Sequence, residues 1–365
     1  MTPHSRLLAV GVILGIALSG CDQRNDPAGT IRIGAIASLT GPAGEQGKNW
    51  VEGAELAVDE LKKRGVPVKF IVENDETSAA KAAAAFQKLT HVDAVRAIIG
   101  GTWDYLAETA YPLAERSKVP FITPSNPVEV LSPSAQKNRW VYSNGLSLRA
   151  ARGAVSEFLK KEGVKTLGLV YPALPFGTVQ AEMFEGVAAE LGISIGVKFE
   201  FTYDNAYLGS VKIGALKIAE VRPDLVFCVL DAGGTDLFLA ELQKLRATPR
   251  FLTTQHLDQA FLLGNDRERY RRAYGIYPRL RDPAFSDRYR AKYGREPKVY
   301  APQGYDALMF LGEALSRGID FADSGAVFSY NGVTGEHTLP SRGRALVEDA
   351  AVIMTTKDGV FAEYR

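Results

Sequence analysis

Short apolar runs alternate with amphipathic stretches of helical period along most of the chain. The run 31–37 (IRIGAIA) reads as a buried strand. Trp50, Val51, Ala54, Val58 and Leu61 then recur near a 3.6-residue spacing, which puts them on one face of a helix, and Gly65 follows as a stop. Further strands are predicted at 66–72, 95–99 and 119–123, with a helix opening at Thr77-Ser78 and another over about 104–117. After an irregular stretch, 124–144, the pattern starts again. A helix over about 148–162 is followed by strands at 166–171, 193–201, 225–230 and 251–254, with helices between them. A last block carries helices near 282–293 and 300–317, then a strand at 346–356 before a Lys357-Asp358-Gly359 turn. Parallel strands need a long crossover, and a helix of this length supplies one. The pattern therefore predicts an α/β chain built on doubly wound parallel sheets.

The two halves echo each other. Asp93-Ala94-Val95 leads through a strand to Gly100-Gly101-Thr102-Trp103-Asp104, and Asp224-Leu225-Val226 leads through a strand to Gly233-Gly234-Thr235-Asp236. In open parallel sheets ligands sit at the carboxyl ends of strands, where glycines let the backbone approach and a helix N-terminus favours an anion. The plainer reading is a pair of ordinary strand-to-helix turns, each capped by its threonine with an aspartate in the first helical turn.

The amino terminus departs from this pattern. Arg6 is the one formally charged side chain in residues 1–20, and 7–18 is almost unbroken apolar sequence, the length of a signal-peptide core. It closes on Leu18-Ser19-Gly20-Cys21, which resembles the lipobox of bacterial lipoproteins; that resemblance implies lipidation of Cys21 and an extracytoplasmic protein held at the membrane. Asp22 directly after it implies the inner-membrane periplasmic face where the envelope has two membranes. Residues 21–30 read as a polar, flexible tether.

Composition narrows the function. The 365 residues are 46% hydrophobic and 23% charged, an ordinary globular balance suited to about two domains. With 43 basic against 42 acidic side chains and no basic run, nucleic acid is not an expected partner. Two cysteines cannot build a disulfide framework, and Cys228 sits in an apolar run as a buried thiol. Four histidines without metal-ligand spacing argue against a metal, and Glu73, Asp75 and Glu76 read as a solvated turn. Gly41 to Lys48 (GPAGEQGK) fails as a phosphate loop: five residues separate Gly41 from Gly47, and Asn49 stands where a Mg²⁺-binding hydroxyl is needed. No nucleophile elbow or dinucleotide fingerprint occurs, and His256 with Asp258 singles out no serine for a triad. No cofactor and no catalytic residue are expected.

A set of motifs in fixed order carries a resemblance. Ile33-Gly34-Ala35-Ile36-Ala37-Ser38-Leu39-Thr40-Gly41-Pro42, Glu73-Asn74-Asp75, Ile98-Ile99-Gly100 and Val119-Pro120-Phe121-Ile122-Thr123-Pro124 are followed by Tyr300-Ala301-Pro302-Gln303-Gly304-Tyr305-Asp306-Ala307 and Asn331-Gly332-Val333-Thr334-Gly335. Together they resemble the leucine/isoleucine/valine-binding proteins of ABC importers. The resemblance implies two doubly wound lobes (the type I periplasmic binding fold) joined by a three-stranded hinge, with ligand in the cleft. It places lobe one at 31–145 and 275–330 and lobe two at 146–274 and 331–365. It further implies a monomer that closes on a small-molecule ligand and delivers it to permease and ATPase subunits.

Ligand positions carried over one at a time fall at Gln46 in the first loop, near Asp104 after the third strand with its neighbours Thr102, Trp103 and Tyr105, and near Ser125 with Thr123. In lobe two they fall at Phe176, Asp231 and Gln255. Two of these depart from the family pattern. Asp104 would repel a carboxylate where the family binds one. Gln255 lacks the charge that pairs an α-ammonium, and a buried unpaired charge is costly. Either the ligand is reversed, with Asp104 or Asp231 taking a cation, or it is not an α-amino acid; an amide, an amine, or an aromatic compound stacked on Trp103, Tyr105 or Phe176 would fit. A ligand sensor that signals to a partner protein is the alternative to transport, and an enzyme on the same lobes is the third class.

Overall fold

The computed structural model describes residues 26–125, 129, 131–132, 137–202, 204, 206–342, 345–357 and 360–365. The signal segment 1–20, Cys21, the tether as far as residue 25, and residues 358–359 of the expected turn lie outside them. Two sheets organise the chain. In the first, β1 (Ile31–Ala37), β2 (Val68–Asn74), β3 (Ala97–Gly100), β4 (Phe121–Thr123) and β5 (Val141–Ser143) run parallel in the order β2-β1-β3-β4-β5. In the second, β6 (Thr166–Pro172), β7 (Ser194–Phe201), β8 (Leu225–Cys228), β9 (Arg250–Thr253) and β10 (Ala273–Pro278) repeat that order as β7-β6-β8-β9-β10. β3 and β8 are buried at every residue, as central strands covered on both faces must be, which is why they read as unbroken apolar runs.

Helices cover these sheets: α1 (Gly44–Lys63), α2 (Ala79–His91), α3 (Asp104–Glu108), α4 (Tyr111–Ser117), α5 (Leu148–Lys161), α6 (Pro175–Leu191), α7 (Tyr207–Val221), α8 (Ala232–Lys244), α9 (Leu257–Leu263), α10 (Ala284–Tyr293) and α11 (Ala301–Ser316). The single helix expected over 104–117 is two. Pro112 lies in the first turn of α4, and a proline cannot continue a helix through that point because it lacks the N–H and crowds the carbonyl four residues back. In lobe one α1 lies against α11 at backbone contact. A Cβ on Gly53 would stand 1.9 Å from the Ala301 carbonyl oxygen, and one on Gly304 would stand 2.1 Å from that of Trp50. That approach seals Trp50 in the core with no exposed surface.

Three crossings join the sheets. The chain leaves the first after β5 and returns after β10. It then adds β11 (Phe328–Asn331), β12 (Gly335–Arg342) and β13 (Ala345–Asp349) to the first sheet beside β5, and ends in the second as β14 (Ala351–Lys357) and β15 (Val360–Glu363). The second and third crossings lie side by side: Arg279 N–H donates to the Ala350 carbonyl at 2.7 Å. These crossings correct the expected lobe boundaries. β10 belongs wholly to the second sheet, so lobe two extends to residue 278. β12 and β13, expected in lobe two, pair with the first sheet. The strand expected at 346–356 is two strands in two different sheets, because an alternating apolar pattern carries no information about which sheet will accept it.

The far end of the expected tether is also held. Asp26 pairs with Arg32 at 2.6 Å and with Lys69 at 2.9 Å, which fastens residues 26–30 to β1 and β2. Two distant motifs of the resemblance meet through one buried carboxylate: Asp306 accepts the N–H groups of Val333 and Thr334 at 2.7 and 2.8 Å and the Thr334 hydroxyl at 2.6 Å. Cys228 is buried on β8 and burial pushes its thiol pKa well up, so it is an inert core residue. Among the described residues no helix is long and apolar enough to cross a membrane.

Candidate functional site

The carboxyl ends of the two sheets face one another, and the chain reverses winding direction there between β1 and β3 and again between β6 and β8. Such switch points open crevices. A hollow of about 100 Å³ lies between them. Lobe one lines it with Gln46 from α1, Trp103, Asp104 and Tyr105 from the turn after β3, Ser125 after β4, and Tyr300 before α11. Lobe two lines it with Pro172 at the end of β6, Leu174 and Phe176 at the start of α6, Val229, Leu230 and Asp231 after β8, and His256 after β9. Beyond Tyr300 the cleft widens into a groove of about 920 Å³ that Gln255, Asp258 and Lys298 border.

Seven of the ten expected ligand positions thus meet in one place: Gln46, Trp103, Asp104, Tyr105, Ser125, Phe176 and Asp231. Three do not line the hollow. Thr102 is fully buried, its hydroxyl oxygen accepting from Ser38 N–H at 3.0 Å and Trp50 Nε1 at 3.4 Å, so it ties the β1 and β3 turns together. Thr123 lies buried behind Ser125, their hydroxyls 3.5 Å apart. Gln255 accepts from Gln303 Nε2 at 3.4 Å and borders a separate hollow of about 20 Å³ that shares Ser125 and Phe176 with the first.

The two Gly-Gly-Thr turns are not equivalent. After β3 the residues 101–103 precede the helix, and Trp103 is its cap position. After β8 the helix has already begun at Ala232, so Gly233-Gly234-Thr235 are helical. Asp231 caps α8 in place of the expected Thr235, its Oδ1 accepting Gly234 N–H at 2.6 Å. Asp236 faces away from the cleft, paired with Arg269 at 3.0 Å and accepting from the Tyr270 hydroxyl at 2.6 Å. Gly47 of the phosphate-loop-like stretch is required by packing: a Cβ there would stand 1.9 Å from the Ser38 carbonyl oxygen.

Polar contacts run through the hollow and across it. Trp103 Nε1 donates to Gln46 Oε1 at 2.6 Å, and Gln46 Nε2 lies 3.5 Å from His256 Nδ1 in the other lobe. Asp104 Oδ1 accepts Tyr105 N–H at 2.8 Å, and Oδ2 accepts Phe176 N–H from lobe two at 3.5 Å. The Ser125 hydroxyl donates to the Gly101 carbonyl. Burial raises the Asp104 carboxyl above the usual range, because desolvation outweighs the backbone bonds that favour its ionised form. Burial lowers His256 to about 4 despite the nearby Asp231 charge, so at neutral pH the imidazole is uncharged. Asp258 accepts from the Tyr277 hydroxyl at 2.8 Å rather than orienting His256, which removes the triad geometry. Among the described residues no group of three or more His, Cys, Asp or Glu is placed to hold a metal.

His256 and Tyr300 are site residues that the sequence reading missed. His256 directly follows Gln255 at the end of a predicted strand, which was the available signal. Tyr300 is held with φ of 69° at the start of α11, aimed into the cleft by a left-handed backbone conformation, and its ring lies 6.2 Å from that of His256. Only the folded chain brings it there.

A sequence model of the periplasmic binding protein family matches residues 30–359. No curated protein sequence matches the chain. Similar solved structures include the branched-chain amino acid transporter substrate-binding protein LivJ from Streptococcus pneumoniae in complex with isoleucine, 19% identical over 92% of this chain and 99% of that one, TM-score 0.76. The leucine-binding protein LivK from Thermotoga maritima is 20% identical over 92% and 98%, TM-score 0.77. An ABC transporter substrate-binding protein from Desulfitobacterium hafniense in complex with Leu is 22% identical over 92% and 100%, TM-score 0.71. At these identities the likeness establishes the two-lobed fold.

Proposed function

Because the chain belongs to the periplasmic binding protein family, whose members bind solutes and are not enzymes, we propose that it is the extracytoplasmic solute-binding component of an ABC importer. It takes a small polar solute into the cleft and delivers it to a membrane permease. The lipid on Cys21 holds it beside that partner. One observation carries the reading: a hollow built from both lobes at their switch points, with side-chain and backbone bonds that already cross it between Gln46 and His256 and between Asp104 and Phe176. A ligand seated there touches both lobes at once. It therefore favours the closed arrangement by its extra contacts, and the three crossings supply the hinge. The solved neighbours that carry isoleucine or leucine mark amino acids as the first solutes to try.

The test is thermal melting of the purified protein against amino acids, amides, amines and aromatic acids. A solute at 100 times its dissociation constant adds about 2.7 kcal/mol of stability, a readily visible rise in Tm. Failure of every solute class to raise Tm sinks the binding reading. In the same cells Cys21→Ser should release the protein from the membrane fraction; a variant that stays bound argues against the lipid anchor.

A further inference from the structure

We infer that the solute carries an uncharged head with N–H donors, a primary carboxamide or a urea, and that Gln180 and Thr254 recognise its NH₂ group; this rests on the solute-binding reading above. Gln180 of α6 and Thr254 after β9 border the hollow of about 20 Å³, and they are 6% and 4% exposed. Gln180 Oε1 and Thr254 Oγ1 have no hydrogen-bond partner among the described residues. Gln303 of α11, 1% exposed, repeats the pattern on the groove side of Gln255. Its Nε2 donates to Gln255 Oε1 at 3.4 Å, while its Oε1 is unpaired and borders the groove. Unpaired buried oxygens are costly, and folded proteins keep few of them. Three border the two hollows that Gln255 joins, with side chains from both lobes, so a molecule seated there supplies the donors.

The surroundings decide the charge of that donor. Among the described residues the small hollow is lined by Ser125, Gln180, Thr254, Gln255 and apolar side chains, with no charged one. An ammonium there would be buried without a counter-ion, a heavy desolvation cost. A carboxylate has no N–H to give the glutamine oxygen and would meet it as one acceptor meets another. An uncharged NH₂ avoids both. About 20 Å³ holds one group the size of a water molecule, which is the size of an NH₂.

The rest of an amide suits what adjoins. The small hollow shares Ser125 and Phe176 with the first, where Trp103, Leu174 and Tyr300 give an apolar body its walls. Asp104 and Asp231 already accept the N–H groups of Tyr105, Phe176 and Gly234, so the solute need not supply them a charge. Tyr300, which borders both the first hollow and the groove, starts α11 without a side-chain cap. The positive end of that helix suits the partial negative charge of a carbonyl oxygen. Lys298 beside it is paired with Glu45 at 2.7 Å, so its full charge is already matched. An amide therefore finds acceptors for its NH₂ on lobe two and a helix N-terminus for its oxygen on lobe one.

The experiment varies the head on one body, by calorimetry on the purified protein. Benzamide is set against benzoate, benzylamine and N,N-dimethylbenzamide, which keeps the carbonyl and loses both N–H groups. In the same way 3-methylbutanamide is set against 3-methylbutanoate and 3-methylbutan-1-amine. Urea supplies the head alone and L-leucine the zwitterion. Solute carried by the protein from its own cells is identified after denaturation. The expectation is that at least one primary amide or urea binds, with its acid, amine and dimethyl counterparts about tenfold weaker or worse, and that the native solute bears an uncharged NH₂. Gln180→Leu and Thr254→Val should each weaken the amide about tenfold, and should leave Tm without solute equal or higher, since each removes an unpaired buried oxygen. Amide affinity undiminished in both variants, whatever their Tm, means that the small hollow holds only water and overturns the inference. Binding of an acid, an amine or leucine as tight as the amides, or recovery of a charged native solute, overturns it too. Each of these leaves the solute-binding reading standing. If no solute binds and none is recovered, both fall.

Discussion

His256 shows how a single side chain ties stability to pH here. Burial lowers its pKa from the ordinary 6.5 to about 4, so the folded protein holds it neutral while the unfolded chain protonates it below 6.5. Its contribution to stability is present above that ordinary value and is lost as pH falls through about 4. Asp258 works in the opposite sense: burial raises it from 3.8 to about 6, so its contribution is present below 3.8 and lost as pH rises through about 6. Between pH 4 and 6 the two offset each other. His256→Gln should therefore lose less Tm than the parent between pH 6.5 and pH 4, measured by scanning calorimetry in matched buffers. Parallel Tm curves for the two proteins would show that the imidazole is not held neutral. At this scale the sequence was informative in part. Asp104 and Asp231 are legible as acids at strand ends, since a charge beside a glycine-rich turn stands out from an apolar run. That Asp104 accepts an N–H from the opposite lobe is not, because Phe176 lies 72 residues away and meets it only across the cleft.

The elements divide by how much backbone approach they need. Gly53→Ala puts a methyl group 1.9 Å from the Ala301 oxygen, so α1 and α11 must separate and the Trp50 core must loosen. We expect a loss of about 2–3 kcal/mol in urea unfolding, the upper part of the usual range for overpacking. Gly153→Ala is the contrast: it lies exposed in the middle of α5 with no atom within 4 Å of the added carbon, and should gain about 0.5–1 kcal/mol from helix propensity. Equal effects at the two sites would contradict the close packing of α1 on α11. The central strands and long helices were legible because burial on both faces or on one stripe imposes its own period. β5 and β11 were not, since β5 ends the stretch read as irregular and β11 (FSYN) has no unbroken apolar run like those that marked β3, β4 and β8; they form because a neighbouring strand offers an edge. The break between α3 and α4 was legible in Pro112, yet the apolar spacing on either side of it masked the interruption.

The whole molecule offers its own reporter. Of three tryptophans, Trp50 and Trp140 are buried in the lobe-one core and Trp103 alone lines the hollow. Ligand binding and lobe closure should change the intrinsic fluorescence, and Trp103→Phe should abolish most of that change while keeping an aromatic wall. A ligand-dependent signal that persists undiminished in Trp103→Phe would place the ligand elsewhere. The crossings belong to this scale too. Residues 346–356 read as one apolar strand, but the chain passes from one sheet to the other at Ala350, where Arg279 bonds it to the crossing alongside.

By itself the sequence determined the α/β class and the repeat of one strand-helix pattern in two halves, and its resemblance to a known family pointed to most of the residues that line the cleft. The class and the repeat are local properties, period and turn chemistry; the cleft positions are what the resemblance implied. The tertiary structure alone decided which sheet takes β12, β13 and β14, that Tyr300 and His256 complete the hollow, that Thr102, Thr123 and Gln255 stand outside it, and that Asp104 accepts the Phe176 N–H of the opposite lobe. Each of those depends on contacts between segments far apart in the chain, whose meeting is set by how the two lobes pack and not by any pattern along one of them.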